Sequence, residues 1–187
     1  MTVIWVDGAV LAADTAMIPA LDHGLTVGDG VFETCKIVDG EAFALTRHLA
    51  RLARSAAVLG LVPPADELIR SAVGQTLAAS RLSLGRLRIT LTGGTGPLGS
   101  ERGADGPTLL VAAAASAPWP DRIAVVTVPW TRNERSPVAG AKTTSYAENV
   151  VALRAAKLRG AHEALLANTP GGTERRHRLE RRPGTAR

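Results

Sequence analysis

The chain has 187 residues, 45% of them apolar, a formal net charge of +5 and one cysteine. That length holds one ordinary domain or two small ones, and a mean hydropathy of +0.09 argues against a disordered chain. No apolar run reaches membrane-span length, the first residues lack a secretory signal, and a lone Cys35 excludes an intrachain disulfide and fits a reducing cytoplasm.

The basic balance is local. Residues 169–187 hold six Arg against two Glu, whereas residues 1–168 hold 16 basic against 15 acidic side chains. No aromatic residue in that end could stack a base, so the composition does not point to nucleic acid, and a solvated, disordered basic tail is expected over 169–187.

In chain order, the apolar runs on either side of Asp7-Gly8 predict a two-residue hairpin, and the same device recurs at Asp39-Gly40 between residues 31–38 and 41–45. Thr46 is a plausible N-cap for a helix with Leu49, Leu52, Ala56 and Leu59 on one face, stopped by Gly60. Pro63-Pro64 interrupts the chain, and helical spacing resumes over 66–82. Strands are predicted at 87–92 and 108–112 around a glycine-rich loop at 93–99, which is no Walker loop because no Gly-Lys-Ser/Thr follows. The prolines of Ser116-Ala-Pro-Trp-Pro120 mark a linker. Beyond it come a strand at 123–128, a loop holding Lys142, a helix at about 145–159 and a strand at 163–167. Hairpins followed by helices and further strands make an α+β fold. The predicted division is a first domain over 1–117, a linker at 118–121, a partial second domain over 122–168 carrying Lys142, and the tail.

Lys142 follows the small residues Gly140-Ala141 and precedes Thr143-Thr144-Ser145-Tyr146. A lysine in such a loop is a solvated charge unless its surroundings hold the amine beside a carbonyl, when it becomes a nucleophile. Arg51 alone would read as a charge on an exposed helix face, Tyr146 as core packing, Cys35 as a small core residue, and His23 as a turn or pocket-rim group. Gly28-Asp29-Gly30 reads as a turn that shapes the chain. No metal site is expected.

Three ordered segments change the weighting. Asp22-His23-Gly24 through Gly28-Asp29-Gly30-Val31-Phe32-Glu33-Thr34, then His48-Leu49-Ala50-Arg51-Leu52 through Ser55-Ala56, then Ala141-Lys142-Thr143-Thr144-Ser145-Tyr146 resemble the signatures of the class IV (fold type IV) pyridoxal-phosphate aminotransferase and lyase family. The resemblance implies a complete N-terminal α+β domain and part of a C-terminal α/β domain. It implies pyridoxal 5′-phosphate as cofactor, Lys142 as its Schiff-base lysine, Arg51 as the phosphate ligand and Tyr146 near the phenolic oxygen. A small-molecule amino substrate, no nucleic-acid or membrane partner, a cytoplasmic setting and, in full-length relatives, a homodimer follow from the same resemblance. Phe32-Glu33-Thr34 leans toward the aminodeoxychorismate lyase branch over the branched-chain aminotransferases. The rival reading is a non-catalytic remnant or a protein-interaction module.

In that family a glutamate within a segment like E-G-T-G-S-N-V pairs with the pyridine nitrogen, and family spacing puts it at residue 175, where this chain has Arg175. The obligatory middle bases of the codons for 175–181 (G, G, A, G, T, A, G) are also the first bases that E-G-T-G-S-N-V requires. A one-base slip a few codons upstream is therefore expected to have replaced the motif and impaired the chain.

Overall fold

The computed structural model describes residues 2–169 and the backbone of residues 173–175. The chain forms two compact units: residues 2–118 with Gly140–Ser145, and Trp119–Ala139 with the described residues from Tyr146 onward. The boundary lies within the proline-bearing stretch at 116–120. The lysine segment, by contrast, packs with the first unit and not with the second domain assigned to it from sequence.

The first unit runs β1 (Val3–Val6), β2 (Ala9–Ala12), α1 (His23–Thr26), β3 (Gly30–Val38), β4 (Glu41–Ala42), α2 (Leu45–Leu59), α3 (Asp66–Ser80), β5 (Leu84–Thr92) and β6 (Leu109–Ala115). Its six strands pair antiparallel in the order β2-β1-β6-β5-β3-β4. Both Asp-Gly hairpins form as expected, with φ of 50° and 82° at Asp7 and Gly8 and of 52° and 84° at Asp39 and Gly40. Consecutive positive φ values are what a two-residue turn needs to match strand twist.

Strand alternation sends Val31, Cys35 and Ile37 of β3 to the same face as Leu87, Ile89 and Leu91 of β5. There they pack with Leu49, Leu52 and Ala56 of α2 and with Ile69, Ala72 and Val73 of α3. Each fully buried large aliphatic side chain on this face contributes about 1.5–3 kcal/mol. Helix α2 opens at Leu45, after Ala44 turns left-handed with φ 55°, and no side chain caps it. Thr46 is therefore inside the helix, not at its N-cap. Gly60 closes it at φ 67°, the conformation glycine adopts without a Cβ penalty.

The second unit holds β7 (Val125–Arg132), α4 (Ala147–Leu158), β8 (Glu163–Asn168) and β9 (Thr173–Arg175). β7 runs parallel to β8, with α4 as the intervening helix, and β9 pairs antiparallel to β8. Val128, Ala152, Ala156, Ala161, Ala164 and Leu166 form its core. β7 continues past the expected stop at Val128 because Pro129 sits on an edge strand, where a missing N–H is tolerated, and the register shifts between Thr127 and Thr131. Strand β9 occupies part of the segment expected to be disordered; residues 170–172 and 176–187, with most of the stretch 175–181 expected to have lost its motif, lie outside the described residues. Among the described residues, no helix is long and apolar enough to cross a membrane.

Asp22 ties the first unit together. Fully buried, it accepts from Gly24 N at 2.8 Å to cap α1, and from the hydroxyls of Thr92 and Thr108, each at 2.8 Å. Asp22→Ala strands these donors and should cost about 2–4 kcal/mol of first-unit stability, whereas Asp22→Asn, which keeps one acceptor oxygen, should cost less. Equal denaturation midpoints for all three proteins would contradict this account.

Candidate active site

Strand β4 has only two residues, so it covers β3 at Ile37 and Val38 and leaves the Gly30–Phe32 edge open. The lysine segment occupies that edge. Phe32 N donates to Lys142 O at 3.0 Å and Thr144 N to Gly30 O at 2.8 Å, around a bridge between Val31 and Thr143. Thr144 and Ser145 each donate a hydroxyl hydrogen bond to Gly28 O at 2.9 Å. Glycine is required beneath them: a Cβ on Gly30 would sit 2.9 Å from both Leu91 O and Thr144 Oγ1, and Gly28 has φ +69°. The Gly28-Asp29-Gly30 turn thus shapes the chain and admits the lysine segment.

Helix α2 meets the same segment. His48, Arg51 and Ser55 recur at helical spacing on one face, and Ser55 Oγ accepts from Lys142 N at 3.0 Å. The Lys142 backbone is therefore held from both the strand and the helix. Its Nζ stands 4.0 Å from the Phe32 ring centroid, and Arg88 Cζ lies 3.7 Å from the same centroid, both within cation–π range.

On the opposite face of β3, Glu33 is fully buried. Arg51 Nε donates to its Oε1 at 2.5 Å and Nη2 to its Oε2 at 2.6 Å, and His48 Nδ1 pairs with Oε2 at 2.8 Å. Burial pushes this carboxyl upward, but the hydrogen bonds and charges of Arg51 and His48 outweigh it and hold Glu33 below its ordinary 4.5. The Arg51 side chain is 47% exposed. It lies about one helical turn, four residues or about 6 Å along the axis, from the Ser55 that holds Lys142.

The Lys142 amine, beside Phe32, and the Arg51 guanidinium, beside Glu33, thus belong to one unit. An amine can condense with a carbonyl carbon, and a guanidinium can pair with a phosphate. Among the described residues, no group of three His, Cys, Asp or Glu side chains is placed to hold a metal ion.

Tyr146 belongs to the second unit, where it is half-buried and its carbonyl accepts from Val150 N at 3.1 Å at the start of α4. His23 is fully buried, with Nε2 at 3.0 Å from Pro97 O, so it is a packed core group and not a pocket rim. Glu33, His48 and Arg88 were missed as functional candidates. Their signals were in the sequence: a carboxylate in phase with the core residues of β3, His and Arg three apart on a helix, and an arginine within an apolar strand.

The fold defines a class, and comparison with known proteins places it. The family model for class IV amino-transferases matches residues 30–174, and the chain belongs to that family. A bifunctional aminodeoxychorismate lyase / D-amino acid transaminase of Mycobacterium tuberculosis is 31% identical over 90% of this chain and 61% of its own length. A fold IV transaminase from Curtobacterium pusillum superposes with a TM-score of 0.79 at 31% identity, over 91% of this chain and 65% of that one. A hypothetical aminotransferase from Mycobacterium tuberculosis, in its PLP-bound form, gives 0.78 at 28% identity, over 91% and 64%. The chain spans about 60% of the length of the curated relatives it matches.

The lowered Glu33 value predicts a pH dependence. Its stabilising contribution is present above the ordinary 4.5 and is lost as pH falls through the lower folded value. The melting-temperature gap between the natural chain and Glu33→Gln should be largest above 4.5 and close below it. A gap that does not change with pH would refute the assignment.

Proposed function

We propose that the chain is a pyridoxal-phosphate-dependent aminotransferase or lyase acting on an amino acid or on 4-amino-4-deoxychorismate through Lys142. The observation that carries this reading is the clamped backbone of Lys142, held by a Ser55 that stands one helical turn from Arg51, with its amine held over Phe32. Family membership and a PLP-bound structural relative support the cofactor.

In this reading Lys142 holds the cofactor's aldehyde carbon and Arg51 its phosphate, a task suited to a planar, always-charged fork. Bound there, pyridoxal phosphate supplies an electron-withdrawing ring that draws off the charge left when a substrate Cα–H bond breaks. Once the substrate amine takes its place, Lys142 carries the proton at Cα as general base and then acid. Clamping the main chain at Lys142 N and O restricts that amine to motions of its own side chain. Phe32 supplies a flat apolar wall beneath it.

Incubation with pyridoxal phosphate should turn the chain yellow, and Lys142→Ala should abolish the colour. Arg51→Ala should keep the colour but weaken cofactor affinity by about 1.5–3 kcal/mol, the range for a charge-assisted hydrogen bond. Retained colour in Lys142→Ala would remove the lysine assignment, and unchanged affinity in Arg51→Ala would move the phosphate site.

Arg175 supports a further part of the proposal, an impaired activity. A second cation where the resemblance puts a carboxylate disfavours a protonated ring nitrogen and weakens its pull on electrons. Purified protein with added cofactor should show no measurable transaminase or lyase turnover. Robust turnover would contradict the impairment.

A further inference from the structure

We infer that Glu33 is a positioning residue for Arg51: its buried carboxylate fixes the plane of the guanidinium and so directs it at a phosphate. The inference rests on the reading of Arg51 as the phosphate ligand and adds what makes that ligand competent.

An arginine at the surface of a helix ordinarily samples many rotamers, and an anion that binds it must immobilise it. Arg51 is half-exposed, yet its Nε and Nη2 are both engaged side-on by the two oxygens of a carboxylate with no exposure at all. Side-on pairing uses one edge of the guanidinium, so its remaining N–H bonds point away from Glu33. Glu33 is itself held, by its place in β3 and by His48 on Oε2. The carboxylate therefore cannot follow Arg51; Arg51 must follow the carboxylate. Helix α2 supplies both His48 and Arg51, one turn apart, which sets the fork's direction relative to Ser55 and the Lys142 backbone.

Electrostatics alone makes the opposite prediction. Glu33 neutralises Arg51, so removing its charge should leave a stronger cation and tighter anion binding. Positioning predicts weaker binding, and the sign of the effect separates the two.

The test uses the whole 187-residue chain and inorganic phosphate, followed by the NMR resonance of Arg51 Nε–Hε, assigned by its disappearance in Arg51→Lys. In the natural chain that resonance should shift saturably. Glu33→Gln should weaken the apparent affinity roughly tenfold, and Glu33→Asp should weaken it as well, because the shorter side chain keeps the charge but cannot reach both nitrogens. Equal or tighter phosphate binding by Glu33→Gln, with Glu33→Asp unchanged, overturns the inference and leaves Arg51 as the phosphate ligand. No response of Arg51 to phosphate in the natural chain overturns that reading, and the inference with it. If Glu33→Gln does not fold, Glu33→Asp decides alone.

Discussion

The site depends on a short strand. β4 pairs with β3 only at Ile37 and Val38, so the other end of β3 would expose unpaired backbone groups along Gly30–Phe32. Exposed strand edges are filled, covered or blunted in native proteins. Here the lysine segment fills the edge, although more than 100 residues of sequence separate the two strips. Lys142 consequently owes its position to a main-chain ladder. Main-chain groups, not the amine, make these hydrogen bonds. This also explains why Gly140–Ser145 packs with the first unit, although the segment falls after the linker in sequence.

Glu33 directly follows that edge and lies on the face of the same strand opposite Phe32. Burying a carboxylate is costly unless charge and hydrogen bonds repay it. Arg51 and His48 do so, but Arg51 is half-exposed, so the pair's net contribution to stability is smaller than a dry interior would give. Its consequence is geometric. A rigid strand holds the carboxylate, a helix brings the guanidinium, and the same helix reaches Lys142 through Ser55. Lys142 and Arg51 are thereby referred to one frame.

Much of the fold was legible because local chemistry determined it. Asp-Gly pairs must turn left-handed, Gly60 must end α2, and the apolar face of α2 has one place to go. The misreadings came where tertiary context won. Ala44 takes a left-handed turn that propensity disfavours, and so starts α2 two residues ahead of the expected cap. The strand expected to end at Val128 runs on through Pro129, which lies on an edge strand with room for it. The four-residue helix α1 depends on Asp22, whose other partners, Thr92 and Thr108, are distant in sequence. At the site, Lys142 and Arg51 were legible through motif resemblance. Glu33, His48 and Arg88 were not, because only strand pairing and helix docking show which charges share a face.

The central claim is that Lys142 is the residue that joins the cofactor, and chemical trapping tests it most directly. The 187-residue chain would be incubated with pyridoxal phosphate, reduced with borohydride, digested and mapped by mass spectrometry. The account predicts a phosphopyridoxyl group on Lys142 in preference to the other lysines, Lys36 and Lys157. Labelling spread evenly over all three, or confined to Lys36 and Lys157, would contradict it.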